Sequence, residues 1–446
     1  MPQQNKTDNV PNIIGEQDQT VDSNGVDFSL LLKPSDEVIG HYRHHTIIHR
    51  NDNNETIRRL IKKEIDSWPA VFDSRLLFMD EYSLAIWDNI CDEKSYVTFE
   101  SCIAILKESL KDPVRSKELL AYQSFVSLGC GTGRKDSLLL RYILEVAAAS
   151  KKEYPGLFQN HCRLTKKSTF RYNLIDSSLN MLESAAHTLF PGSSITHAER
   201  NETIPEIVTI AADIYSIDDY EYMLRQKKED KCLYMLLGNT LGNLKITSFF
   251  NRMFDVLDPG DGLLLSIEYF MLNPDIDYAK KQETINNIYN NKINKYKDSD
   301  NILDICWTQL KYINKQISTL GTSTTKTEDE IKNLIHSIVT KGKSSIAINP
   351  VPTNEQKNID SWGALSIEIT VKEKEPGRPL EDHYISSFVS SVFELTTFTN
   401  MVTKYAEGRY NKEEDGRHAE VSIYPEREEN GQVKEFGIAH IHLKLN

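Results

Sequence analysis

Gly129-Cys130-Gly131-Thr132-Gly133 puts three alternate glycines between an apolar run at 124–128 and a helix-patterned stretch at 136–149. Glycine reaches backbone angles closed to other residues and lets a ligand approach the main chain. Strand, glycine loop and helix in that order is the context a nucleotide-cradling loop requires. A GxGxG alone is weakly specific, and two neighbours sharpen it. A dinucleotide site rests its pyrophosphate on the free amides of the helix start and keeps a further glycine for close packing. Here Arg134-Lys135-Asp136 stands in that place, which suits the methionine part of S-adenosylmethionine better than a pyrophosphate. The second neighbour is Asp176, which closes another apolar run at 170–175 and offers a carboxylate to both hydroxyls of a ribose. It lies further from the loop than the usual twenty or so residues, and the polar segment 151–167, read as a surface insertion, accounts for the excess. Asp213, in Ala211-Ala212-Asp213, ends a third run. It either meets the adenine amino group or caps the following helix, a role for which Ser216 and Asp218 compete. Asp136 is open to the same capping reading. Gly129, Gly131, Gly133, Arg134, Asp176 and Asp213 are thus the candidate cofactor residues.

The elements that must position these groups follow from periodicity. Runs at 124–128, 170–175, 207–211, 232–237 and 262–267 read as buried strands, with helices at 136–149 and 178–189 between them. Strand and helix in alternation predict a parallel, doubly wound sheet, which binds ligands beyond the carboxyl ends of its strands. Residues 1–27 are polar and rich in Asn, Gln and Asp, and read as a disordered tail or a lid that orders over a ligand. Residues 28–120 read as helical, with amphipathic spacing at 54–65 and 101–110. The spacing of His41, His44, His45 and His49 would line one helical face, but no Cys, Asp or Glu completes a zinc motif there, so a surface is the preferred reading and no metal is assigned. The cofactor unit is 121–270. Residues 271–363 read as a helical and loop insertion, with 277–297 helical and 318–330 a loop or helix entrance. Residues 364–446 return to strands: 364–371 and 437–445 alternate, 391–399 is strand-prone, and 407–431 reads as a charged, flexible hairpin or loop. His440 and His442 share one face of the last run and read as packing or solvent-facing.

Several of these segments resemble the histidine-specific, S-adenosylmethionine-dependent methyltransferase family, whose best-known member methylates the α-amino group of histidine. Leu128-Gly-Cys-Gly-Thr-Gly-Arg-Lys135 is similar to the family's LGSGTSRKT-type loop, and Asn173-Leu-Ile-Asp-Ser-Ser178 to its P-V-D-V-S segment. Leu237-Gly-Asn-Thr-Leu-Gly-Asn-Leu244 follows its L-G-S-T-I-G-N motif, and 253–262 its helix and L-x-P-G-D turn. The likeness covers about 150 residues. It implies a Rossmann-like class I methyltransferase fold, with a parallel sheet, a helical N-terminal part and an additional α+β region on the substrate side. It implies S-adenosylmethionine as cofactor. It further implies that Asn243 grips the amino and carboxylate end of an amino acid, that Tyr278 is the family's substrate tyrosine, and that Phe393-Glu394-Leu395-Thr396 is its T-E-I-S strand. Glu394 and Thr396 would then read the substrate side chain, with Glu394 alternatively a solvent-facing strand residue. Tyr278 and Glu394 are the groups so placed to orient an amine or take its proton. The chain departs from the family after Tyr278, where 281–291 replaces an A-x-F-N-x-N run.

Composition narrows the classes. The 446 residues hold 52 Lys and Arg against 65 Asp and Glu, a formal charge of -13, which argues against nucleic acid and anionic membrane as partners. The six cysteines form no CxxC pair and read as reduced thiols of a cytoplasmic protein. No leader-like apolar segment opens the chain and no run of about eighteen apolar residues occurs. Three functional classes stand: an N-methyltransferase of an amino acid or small amine, a methyltransferase of a protein or peptide side chain, and a non-catalytic partner subunit on the same fold.

Overall fold

The computed structural model describes residues 43–48, 61, 74–80, 82–92, 97–112, 115, 118–119, 121–152, 170–189, 206–273, 275–297, 299–318, 326–353, 359–374, 384–410, 418–428 and 430–446. The expected tail 1–27, His41, His49 and nearly all of the amphipathic stretch at 54–65 lie outside them.

Among the described residues, eleven strands form one mixed sheet. In chain order they are β1 (Arg43–Ile48), β2 (Ser124–Leu128), β3 (Arg171–Asp176), β4 (Glu206–Ala211), β5 (Cys232–Leu236), β6 (Gly262–Phe270), β7 (Ile346–Pro352), β8 (Ala364–Glu373), β9 (Tyr384–Glu394), β10 (Ala419–Pro425) and β11 (Phe436–Leu445). The path runs β1-β4-β3-β2-β5-β6-β9-β8-β7, with β11 on the other edge of β6 and β10 beyond it. β4, β3, β2, β5 and β6 are parallel neighbours, while β11 joins β6, and β10 joins β11, antiparallel. Residues of β2, β5 and β6 are buried throughout, as continuous apolar runs covered on both faces must be. This is the class I methyltransferase-like α/β arrangement that was expected, completed by the antiparallel hairpin β10–β11.

β6 positions the rest. β5 ends opposite Leu265, but β6 continues to Phe270. The edge so vacated is taken by β9, through Tyr269 opposite Phe393 and Phe270 opposite Glu394. β9, β8 and β7 are antiparallel and carry helices Tyr278–Lys297, Asp300–Ile317 and Lys326–Lys341. Their core includes Ile305, Leu310, Ile367 and Val392, and it takes in Leu76, Leu77 and Ile90 from the N-terminal part. The N-terminal helices and the inserted segment therefore share one apolar core over the carboxyl ends of the parallel strands.

Three expectations are corrected. Residues 43–48, read as helical, form β1, parallel to β4. Thr46, Ile47 and Ile48 are β-branched, and they cover a sheet edge that would otherwise be open. Residues 391–399 are strand only to Glu394, after which helix Leu395–Tyr410 begins. Its threonines turn their hydroxyls back on the helix, Thr399 Oγ1 donating to Leu395 O at 2.7 Å and Thr403 Oγ1 to Thr399 O at 2.9 Å, which offsets their strand preference. Within the charged segment 407–431, β10 pairs with β11 from Ala419 to Pro425; as an outer strand it carries polar residues that conceal its pattern.

His440 and His442 are packed inside. His440 Nε2 lies 3.6 Å from Cys102 Sγ and His442 Nε2 lies 3.1 Å from the Tyr122 hydroxyl. Burial, with help from Arg115, pushes His440 down to about 3, and burial with Lys444 pushes His442 to about 4, so both are neutral. The five described cysteines are free and buried. Among the described residues, no helix is long and apolar enough to cross a membrane, and no cluster of His, Cys, Asp or Glu is placed to hold a metal ion.

Candidate active site

One cavity opens over the carboxyl ends of β2 to β6. Its floor is the glycine loop. Gly129, Gly131 and Gly133 have φ of 63°, 55° and 71°, left-handed angles that L side chains disfavour. A Cβ on Gly133 would lie 2.9 Å from Ala185, so that glycine seats the loop against helix Leu179–Leu189. The amides of Gly129 and Cys130 both donate to Ile175 O, at 2.8 and 3.1 Å, tying the loop to β3.

Asp176 stands at the end of β3. Its Oδ2 accepts from Gly131 N at 3.1 Å and its Oδ1 from Ser178 N at 2.9 Å. Burial pushes this carboxyl up to about 6, against the lowering effect of the backbone amides. Asp213 is both cap and wall: its Oδ1 accepts from Tyr215 N at 3.0 Å, and the residue lines the cavity beside Ala212 and Ile214. The capping reading thus holds, at a position that borders the cavity. Asp136 lies outside the cavity, buried beneath the loop, where the Tyr172 hydroxyl donates to its Oδ1 at 2.9 Å.

Arg134 lines the cavity but pairs with Asp92 of helix Ser83–Asp92 at 2.8 Å. Lys135, not singled out in the sequence, lies between the loop and Gly238: a Cβ at Gly238 would collide with Lys135 Nζ. Its ammonium also sits 5.3 Å from the centroid of the Phe99 ring. A cation there can hold an α-carboxylate. Cys130 also lines the cavity, but burial, followed by the charges of Asp176 and Asp136, raises its thiol far above the usual range, so it offers no thiolate nucleophile. A glycine cradle, a buried ribose-reach carboxylate, a second carboxylate one strand over and a lysine at the helix start fit the adenosine and methionine parts of S-adenosylmethionine.

The opposite wall comes from the inserted segment and the N-terminal helices. Glu268, on the last third of β6, is 4% exposed. Its Oε2 accepts from Lys292 Nζ at 2.9 Å, and its Oε1 lies 3.8 Å from Lys295 Nζ. Burial would raise this carboxyl, but the two ammonium groups outweigh it and hold it below the usual range, hence ionised. Burial alone would lower Lys292, but the Glu268 carboxylate outweighs it and raises this ammonium. Tyr296 and Ser390 hydroxyls meet at 2.9 Å. Phe78 and Trp87 close the roof edge to face, with centroids 5.2 Å apart.

Asn243 lines this cavity. The other substrate candidates lie elsewhere. Tyr278 begins helix Tyr278–Lys297 and is 78% exposed, because the buried stripe of that helix starts at Ile285. The Glu394 carboxylate is occupied as a helix cap, accepting from Thr397 N at 2.7 Å, Thr397 Oγ1 at 2.6 Å and Thr396 N at 3.4 Å, the commitment a helix start makes of an acidic residue. Thr396 is exposed on the first turn of that helix. None of the three borders the cavity. Glu268, Lys292, Lys295, Tyr296 and Lys135 were the residues missed. The available signal was Glu268, a single charge within the apolar run 262–270.

Comparison with known proteins bears on this geometry. The family model described as "Histidine-specific methyltransferase, SAM-dependent" matches residues 57–312. No curated protein matches the chain. Among solved structures, a SAM-dependent methyltransferase of Methanosarcina mazei is 10% identical, over 75% of this chain and 97% of that one, with a TM-score of 0.29. The N-methyltransferase NodS of Bradyrhizobium japonicum, in complex with S-adenosyl-L-homocysteine, is 15% identical over 47% of this chain and 71% of that one, with a TM-score of 0.22. The family match spans more than half of the chain and takes in the glycine loop, Asp176, Asp213, Asn243 and Glu268. This chain is a SAM-dependent methyltransferase and belongs to the histidine-specific methyltransferase family.

Proposed function

We propose that the protein transfers a methyl group to the nitrogen of a small amine or amino acid enclosed between the glycine loop and the wall built by Glu268, Tyr296 and Phe388. The observation that carries this is the continuity of the cavity: one cavity runs from Gly131 and Asp176 to Ser390 and Ile305, bordered by Phe78 and Trp87. Gly129, Gly131 and Gly133 present the main chain, Asp176 accepts from the ribose hydroxyls, Asp213 from the adenine amino group, and Lys135 holds the methionyl carboxylate. Arg134 holds the loop to Asp92 and borders the same space.

S-adenosylmethionine, when bound, would supply an electrophilic methyl group on its sulfonium: the lone pair of a neutral amine forms the N–C bond as the C–S bond breaks, S-adenosylhomocysteine leaves, and the ammonium product gives its proton to water. The work left to the protein is orientation and exclusion of water. Asn243 carries both a donor and an acceptor for the amino and carboxylate end of the acceptor. Glu268, kept ionised by Lys292 and Lys295, is a weak base but a strong hydrogen-bond acceptor, suited to aim an N–H rather than to remove its proton. Lys295 brings a cation to the same wall.

Calorimetric titration of the full chain with S-adenosylhomocysteine, repeated against a panel of free amino acids, amines and short peptides, tests the reading. Cofactor affinity that tightens with a small amine supports it; affinity indifferent to every free amine, with transfer seen only onto peptides, refutes it. Histidine belongs on that panel.

A further inference from the structure

We infer that Lys295 is the cation that holds the acceptor's carboxylate, and that it makes the site prefer a free amino acid over the corresponding decarboxylated amine; this rests on the small-amine reading above. Lys295 borders the cavity on the wall opposite the glycine loop, with Glu268 and Tyr296 beside it. It belongs to helix Tyr278–Lys297, on which Lys292, one turn earlier, is part of the buried stripe. Side chains three apart on a helix share a face, so both ammonium groups approach the same carboxylate. They do so unequally. Lys292 Nζ lies 2.9 Å from Glu268 Oε2 with its side chain 4% exposed, whereas Lys295 Nζ lies 3.8 Å from Glu268 Oε1 with 21% exposed. Lys292 closes the buried ion pair, and Lys295 stands at the edge of the cavity, donating to Thr98 Oγ1 at 3.4 Å.

This geometry suits a molecule that carries an N–H donor and an anion on neighbouring atoms. Glu268 Oε2 is taken by Lys292, and Oε1 is the oxygen on the Lys295 side. Standard bond lengths put the nitrogen of an α-amino acid roughly 3 Å from the nearer oxygen of its own carboxylate. Set against an oxygen and an ammonium 3.8 Å apart, that nitrogen can donate to Glu268 Oε1 while the carboxylate accepts from Lys295 Nζ. The two charge-assisted bonds then run antiparallel, each reinforcing the other's orientation. A lysine ammonium has three donors, and a long bond such as that to Thr98 Oγ1 yields readily to a charged acceptor. The turn that ends in Asn243 adjoins the same carboxylate, since Asn239 Oδ1 accepts from Glu268 N at 3.0 Å. A decarboxylated amine keeps the bond to Oε1 and forfeits the one to Nζ.

The experiment titrates the full chain, saturated with S-adenosylhomocysteine, with L-histidine, L-phenylalanine and L-arginine, each beside its decarboxylated amine and its methyl ester. The amino acid that binds best should do so about tenfold to a hundredfold more tightly than its own amine and ester, the worth of one charge-assisted hydrogen bond. Lys295→Met should abolish that preference while S-adenosylhomocysteine affinity is retained, and Lys295→Arg should restore most of it. In steady-state assays the loss should fall on KM rather than kcat, because the contact is made before and during transfer alike. A packing defect would weaken acid and amine together and leave their ratio unmoved. Should Lys295→Met fail to bind S-adenosylhomocysteine, Lys295→Gln provides the second variant, expected to shrink the same ratio. An amine or ester that binds as tightly as its amino acid, or a ratio that survives the loss of the ammonium, overturns this inference and leaves the small-amine reading standing. Binding of no free amine or amino acid, with methyl transfer to peptides only, overturns both.

Discussion

Lowering the pH through 6 tests the grip on the cofactor at a single group. Asp176 accepts one backbone amide on each oxygen, from Ser178 at 2.9 Å and Gly131 at 3.1 Å. An ionised carboxylate has about four acceptor positions, so two remain for the ribose hydroxyls. Burial raises the carboxyl to about 6 in the cofactor-free protein. The sign follows from which form binds: the cofactor prefers the ionised carboxylate, so its affinity is full above that value and is lost as pH falls through it. A group with a midpoint of about 6 is roughly nine-tenths ionised at pH 7 and roughly one-tenth at pH 5. S-adenosylhomocysteine should therefore bind about tenfold more weakly at pH 5 than at pH 7, about 1.4 kcal/mol. Calorimetry across that range measures it directly. Asp176→Asn supplies the control: an amide has one acceptor oxygen, so the N–H of Gly131 or of Ser178 would face an NH2 group, at about 1–3 kcal/mol. The variant should bind weakly at every pH, without the slope. An affinity that is flat from pH 7 to pH 5, or a variant that keeps the slope, would refute the assignment of Asp176 to the ribose.

Three further outcomes are expected. Glu268→Gln strands the Lys292 ammonium, which is 5% exposed, and should lower stability in urea titration by about 3–5 kcal/mol, most of it recovered when Lys292→Met is added. Gly133→Ala combines a φ of +71° with a Cβ placed 2.9 Å from Ala185; it should cost about 1–2 kcal/mol in backbone strain alone, read as a lower Tm together with weaker cofactor binding. Lys135→Met should weaken S-adenosylhomocysteine by about 1.5–3 kcal/mol while leaving methylthioadenosine, which lacks the carboxylate, unchanged in the same calorimetric assay.

The legible parts of the chain are those whose signal is local. Each of β2 to β6 is a short, mostly apolar run followed by a turn or a carboxylate, and the glycine loop needs no more than five consecutive residues to announce itself. The illegible parts depend on partners far away in sequence. β1 is a strand because the edge of β4 is open to it, which the His spacing at 41–49 cannot reveal. Glu394 has the same composition around it whether it faces a ligand or caps a helix; the chain turning into Leu395–Tyr410 decides. Helix Tyr278–Lys297 held more information than was read from it. Ile285, Tyr289, Lys292 and Tyr296 form its buried stripe at steps of three and four residues, so Lys292 stands on an apolar face where an ammonium needs a buried carboxylate. Glu268, alone in the apolar run of β6, was the complementary signal. Attention to Tyr278, one exposed position at the helix start, passed over both.

Asn239 explains why the cofactor half and the substrate half of the site should work as one. β5 stops at Leu236 while β6 runs on, which leaves the Glu268 amide without a strand neighbour; buried main-chain groups do not tolerate that. Asn239, in a left-handed conformation with φ of 60°, places its side chain in the gap. Its Oδ1 accepts from Glu268 N at 3.0 Å, and its Nδ2 donates to Ser391 O at 3.4 Å. One amide side chain thus substitutes for a missing strand residue and joins β6 to β9, its own bond to Ser391 spanning 152 positions of sequence. The next turn is fitted to the same junction: a Cβ on Gly242 would lie 2.8 Å from Ser391 O, so only glycine lets Asn243 stand against the β9 wall. The turn that carries Asn243 also carries Gly238, against which Lys135 packs. A displacement of β9 is therefore transmitted through Asn239 to the residues proposed to hold the acceptor's amino end and the methionyl carboxylate, which is what an in-line transfer between two separately bound molecules demands of its scaffold.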